Sequence, residues 1–105
     1  MQIEYRNPKV EKLCKNKSKA TKEFGKKVGD KLHLRLTQLE AFDNLGDVPN
    51  TPPFRRHRLN NNREGQFAIN LTERYRLIIE PLNGDIEDLS TITIIEIEEV
   101  SNHYE

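Results

Sequence analysis

The sequence predicts an α+β domain in which a short strand and helices pack on a mainly antiparallel sheet, in the chain order β-α-α-β-β-β-β. Three observations carry that class. Apolar residues between Asn7 and Phe42 recur at the helical period of about 3.6 residues. Those from Phe54 to Val100 alternate, or run on continuously, as strands do. Between the two regimes lies a stretch of turn formers, Gly46-Asp47-Val48-Pro49-Asn50-Thr51-Pro52-Pro53. At 105 residues the chain is a single domain, residues 1–105, with room for one modest core.

Gln2, Ile3, Glu4 and Tyr5 alternate and read as a short strand. Asn7-Pro8 opens a helix, with asparagine as N-cap and proline at the first helical position, where its missing N–H has no partner to lose. Val10, Leu13 and Cys14 share one face of that helix. Residues 15–18 are a polar break, and Ser18 is the expected cap of a second helical stretch. An interruption is expected at Gly25, because Gly25 and Gly29 each cost a helix about 1 kcal/mol against alanine. Beyond it Val28, Leu32, Leu36, Leu39 and Phe42 form an apolar stripe that leaves Lys26, Lys27, Lys31, His33 and Arg35 outside, and the helix ends near Asn44.

Residues 54–59 then read as a strand and Asn60-Asn61-Asn62 as a turn. In residues 66–71, Phe67, Ile69 and Leu71 fall on one face. In residues 74–80, Tyr75, Leu77 and Ile79 share a face, and Arg74, Arg76 and Ile78 the other. Asn83-Gly84 marks a hairpin-type connection, and residues 92–100 begin apolar on both faces, as an inner strand does.

Composition removes several function classes. No apolar run approaches the roughly 18 residues that span a bilayer, and the start, Met1-Gln2-Ile3-Glu4-Tyr5-Arg6, lacks the apolar core of a signal peptide. The single cysteine excludes an internal disulfide. No Cys pair or His-x-x-x-His exists and the late carboxylates are scattered along a strand, so no metal site is expected. The expectation is a soluble cytoplasmic protein with no membrane span and no metal site. Zero net charge conceals a gradient, however. Residues 1–36 carry eleven Lys/Arg against four acids, and residues 80–105 carry eight acids with no Lys or Arg. The middle holds six arginines, all between Arg55 and Arg76. One face can therefore bind a polyanion while the whole chain stays neutral.

Two constellations carry chemistry. Arg55, Arg56, Arg58, Arg63, Arg74 and Arg76 all sit on or beside strands, and the bidentate guanidinium fork suits a phosphate backbone if those faces coincide. Acidic partners such as Glu64, Glu73 or the last strand would instead absorb them in ion pairs. His57, with His103 and Tyr104 near the end, is the second. Histidine is the side chain most readily poised for proton transfer near neutral pH, and tyrosine can donate or position a proton. RNA cleavage needs a base for the 2′-hydroxyl, cations for the phosphorane and an acid for the leaving oxygen. Spacing alone does not decide between that use and a structural one.

Ile3-Glu4-Tyr5-Arg6-Asn7, Phe24-Gly25, Arg56-His57-Arg58-Leu59, Asn62-Arg63-Glu64-Gly65-Gln66-Phe67, Tyr75-Arg76-Leu77 and Ile94-Ile95-Glu96-Ile97 come in an order that resembles the small toxins of bacterial toxin–antitoxin modules. The family is the RelE/ParE superfamily, and the resemblance is closest to its HigB-like, plasmid-maintenance killer branch. It implies a RelE-like fold and a ribosome-dependent mRNA endonuclease that cuts through the 2′-hydroxyl without a cofactor. It also implies a cognate helix-turn-helix antitoxin (HigA-like) in a toxin–antitoxin hetero-oligomer. By carry-over, Arg63 and Arg76 would hold the scissile phosphate, and His57 would be an acid–base or positioning group. His103 or Tyr104 would complete the site. Arg55, Arg56, Arg58, Arg74 and the lysines Lys26, Lys27 and Lys31 would bind RNA. The family commonly ends in Asp-Tyr-His, where this chain has Asn102-His103-Tyr104, so Tyr104 is expected to take the family histidine's place. The same fold also serves toxins that poison DNA gyrase. A non-catalytic RNA- or protein-binding module is the reading from a different class.

Overall fold

A computed structural model describes residues 1–102. Five strands, β1 (Gln2–Tyr5), β2 (His57–Arg58), β3 (Phe67–Asn70), β4 (Tyr75–Pro81) and β5 (Ile94–Asn102), form one sheet in the order β1-β5-β4-β3-β2. Only the edge pair β1–β5 is parallel; the other neighbours are antiparallel. Three helices precede the main sheet: α1 (Pro8–Lys15), α2 (Lys17–Phe24) and α3 (Lys26–Ala41). The core lies between them and one sheet face. Cys14, Ala20, Leu32, Leu36 and Leu39 from the helices meet Phe67, Ile69, Leu77, Ile79, Ile95 and Ile97 from the strands. Full burial of each large aliphatic or Phe side chain there is worth about 1.5–3 kcal/mol. No described helix is long and apolar enough to cross a membrane.

The first helix starts as expected, with Asn7 Oδ1 accepting from the Val10 N–H at 2.9 Å. The second does not. Its cap is Asn16, which accepts from the Lys19 N–H at 3.2 Å, and Ser18 lies inside the first turn. Asn16 also closes α1, its N–H donating to the Lys12 carbonyl at 3.0 Å, so one residue serves both helices. The break at Gly25 is real: its φ of 94° is a conformation that a side chain strongly disfavours. Gly29 has a packing role as well. A Cβ there would lie 2.5 Å from Thr21 Oγ1 and 3.0 Å from the Thr21 nitrogen, so α2 packs closely on α3 because Gly29 has none.

Two further expectations are corrected. Arg35, expected outside the apolar stripe, is 2% exposed. Its Nε donates to the Asn70 carbonyl at 2.9 Å, its Nη1 to Gln38 Oε1 at 2.8 Å, and the guanidinium lies 5.1 Å from the centre of the Phe54 ring. It ties α3 to the end of β3. The strand expected over residues 54–59 shrinks to His57 and Arg58. Arg55 takes a φ of 50°, which breaks the extended chain, while Phe54 turns into the core.

The open face of the sheet

Register decides which side chains share the face turned away from the helices. His57 pairs with Ala68, and Ala68 with Ile78. His57 therefore shares a face with Arg76, two residues before Ile78 on β4. Arg58 pairs with Phe67, a core-facing position, and so points the other way. Arg58 and Arg76 therefore do not share a face, and the condition set for the arginines is not met by this pair. The guanidinium of Arg58 instead donates to the Ile86 carbonyl and lies 3.7 Å from Glu87. Arg56 is half-buried and donates to the Val48 carbonyl at 2.8 Å; burial, with a smaller push from Arg58, lowers its pKa.

A hollow of about 840 Å³ opens where this face meets α3, and its walls include Lys27, Lys31, Arg55, His57 and Arg76. That volume is within the range that accommodates a small ligand such as a nucleotide. Among the described residues Glu73 is the single acid in its lining. Asn50, Asn70 and Thr72 add polar groups that the sequence did not single out, because such residues at strand ends usually serve turns. His57 is held by its Nδ1, 2.9 Å from the Arg55 carbonyl. A carbonyl can only accept, so Nδ1 carries the proton and the neutral ring presents Nε2 as a lone pair. Arg76 is half-buried, and its Nε is buried without a hydrogen-bond partner among the described residues. Arg76 lines the hollow, and a guanidinium there suits an anion. β5 reaches this end of the face: Ser101 pairs with Arg76 and Asn102 with Tyr75. His103 and Tyr104, expected to complete the site, lie outside the described residues.

Other candidates stand apart. Arg63 does not line the hollow; its Nη2 donates to Glu99 at 2.7 Å and its Nη1 to Gln66 at 3.3 Å. Lys26 bonds Asp30 at 2.7 Å, and Lys17 lies 2.9 Å from the same carboxylate. The two ammonium groups hold Asp30 at a pKa of about 2. Arg74 is exposed at the start of the β4 turn and is not among the lining residues. On the helices, Lys9, Lys12, Lys19 and Lys22 surround a second hollow of about 570 Å³.

The late carboxylates are not scattered, contrary to the sequence reading. Glu80 pairs directly with Glu96 across the sheet, and a register shift between Ile78 and Ile79 leaves Glu98 as the extra residue of a bulge. One carboxylate oxygen from each of Glu80, Glu96 and Glu98 lies within 4.8 Å of the other two. Burial, then the hydrogen bond and charge of Glu96 and the charge of Glu80, push Glu98 up to about 7.

No protein-family model matches the sequence, and no curated protein does. Solved structures do share the fold. One is described as a YoeB-YefM complex from Staphylococcus aureus, with a TM-score of 0.58 at 16% identity, covering 99% of this chain and 98% of that one. Another is a YoeB/ParE toxin from Agrobacterium tumefaciens, with a TM-score of 0.60 at 10% identity, covering 99% of this chain and 100% of that one. At such identities the likeness is one of fold, and it runs the length of the chain.

Proposed function

We propose that this chain is the toxin of a type II toxin–antitoxin module of the RelE/ParE kind, on its HigB-like branch, and that it cuts mRNA on the ribosome. The observation that carries the reading is the hollow in which Arg55, His57 and Arg76 meet Lys27 and Lys31. A phosphodiester is the ligand such a wall suits best, with one histidine nitrogen left as a base. In the reaction the 2′-oxygen attacks phosphorus, its proton passing to Nε2 of His57. Arg76, with Arg55 and the two lysines, stabilises the charge that grows on the phosphorane oxygens. The bond to the 5′-oxygen breaks, and His103 or Tyr104 supplies the proton that the leaving oxygen takes. A 2′,3′-cyclic phosphate and a 5′-hydroxyl result.

Arg63 enters this scheme indirectly. Its pairing with Glu99 leaves it to position the strand after the bulge, or to exchange Glu99 for a phosphate when RNA lies along the face. The lysines of α1 and α2 would rest on ribosomal RNA, and an HigA-like helix-turn-helix antitoxin would cover the hollow in the neutralised complex. One neighbour in fold is described as a YoeB/ParE toxin and another as a YoeB-YefM complex, which agrees with this reading.

The test is induction of the chain without an antitoxin, following labelled amino acids and labelled thymidine together. Amino-acid incorporation is expected to fall first, with mRNA fragments appearing. If DNA synthesis collapses first and mRNA stays whole, the chain is a gyrase poison. Unchanged incorporation of both labels with folded protein present would leave a non-toxic binding module.

A further inference from the structure

We infer that the open face of the sheet carries a site for a hard divalent cation, held by Glu80, Glu96 and Glu98, at the end away from the basic hollow. The first observation is geometric. Oxygens bound to one such ion at about 2.4 Å can be no more than about 4.8 Å apart. The three carboxylates already place one oxygen each inside that limit. The second concerns Glu98 alone. It is 7% exposed, its Oε2 is buried without a hydrogen-bond partner among the described residues, and the hydrogen bond the side chain shares with Glu96 ties it only to another acid. An ionised oxygen in that position is costly unless a cation reaches it.

Among the described residues, the surroundings do not supply that cation. Gln66 donates to Glu80 Oε1 at 3.3 Å, a neutral contact that orients the carboxylate without balancing its charge. Arg63 is committed to Glu99 at 2.7 Å. Arg6 is the cation that most clearly acts on Glu98, and its influence is the smallest of those that set the raised pKa. Meanwhile Glu80 and Glu96 are direct cross-strand partners, an arrangement that like charges disfavour. Glu98, two residues after Glu96, falls on the same face by alternation, and the bulge leaves it with no residue of β4 directly opposite.

An all-carboxylate set selects a hard ion of the calcium, manganese or magnesium type over a soft one. With three protein ligands the remaining positions belong to water, and the dissociation constant is expected near about 0.1–1 mM. Such an ion acts on the sheet and on its charge. It does not reach the chemistry assigned to the hollow, so the inference stands or falls apart from the proposed activity.

The experiment is calorimetric titration of the purified chain with Mn²⁺ and with Ca²⁺, at fixed ionic strength, alongside thermal melts. One equivalent is expected to bind, and the melting temperature should rise on saturation. Glu98→Gln should weaken binding at least about tenfold and abolish the thermal rise, as loss of a charged ligand in a three-carboxylate site requires. That variant removes a charge its surroundings oppose, so it should fold. Glu64→Gln, at an exposed position outside the group, should bind as the wild type does. Absence of saturable binding at concentrations about tenfold above the expected constant, or equal binding by Glu98→Gln, would overturn the inference.

Discussion

Replacing Arg76 by methionine should separate function from stability. Arg76 sits on an inner strand, half-buried, with its Nε buried and unpartnered among the described residues. A buried donor left unsatisfied costs about 1–3 kcal/mol. Arg76→Met keeps an unbranched stem against its neighbours and removes that donor. The folded state should therefore be no less stable than the wild type, and up to about 1 kcal/mol more stable. For a domain of this size each kcal/mol moves the melting temperature by about 4–8 °C. Cleavage should move the other way. A cation that stabilises the phosphorane contributes about 2–4 kcal/mol, so single-turnover cutting on programmed ribosomes should fall by about thirtyfold to a thousandfold. Urea melts and cleavage time courses on the same preparation provide both numbers. A variant that loses more than about 1 kcal/mol of stability yet cuts at the wild-type rate would refute the reasoning and make Arg76 a structural residue.

Three more outcomes follow from particular contacts. Arg35→Met removes charged hydrogen bonds to the Asn70 carbonyl and Gln38 and the contact over Phe54, so it should cost about 2–4 kcal/mol in a urea melt; a change under about 0.5 kcal/mol would show that the contacts contribute little. His57→Gln retains a polar side chain but no base, and cleavage should fall at least about a hundredfold with ribosome binding kept; equal loss of both would make His57 a binding residue. Burial pushes the Cys14 thiol up to about 12 from its ordinary 9.0, so the native chain should not react with a thiol reagent at neutral pH, and stability should decline as pH rises from 9.0 toward 12. Rapid labelling of the native chain would contradict that.

The fold was largely legible because its signals are local. Asn7-Pro8 caps a helix wherever it occurs, Gly25 interrupts one, and the alternation of Tyr75, Leu77 and Ile79 fixes a core face. Arg35 was misplaced because period alone treats any cation as a surface residue, whereas the carbonyl at the end of β3 supplies a buried partner from 35 positions away. Of the hollow's lining, the sequence singled out Arg55, His57, Arg76, Lys27 and Lys31 but not their grouping. His57 and Arg76 share a face because β2 pairs with β3 in register with Ala68, and that register is set by the partner strand. The carboxylate group was missed for the same reason. It depends on Glu80 lying across the sheet from Glu96, which is a property of pairing.

The central claim is that the basic hollow cleaves mRNA through the 2′-hydroxyl, and its most direct measurement is end-group mapping on purified ribosomes carrying a defined message. With wild-type chain, cuts are expected within the ribosome-bound message, with 2′,3′-cyclic phosphate and 5′-hydroxyl ends, and naked message should stay whole. Arg76→Met should leave the bound message nearly intact over the same interval. Intact message with folded wild-type chain bound to the ribosome, or cuts bearing 5′-phosphate ends, would contradict the account.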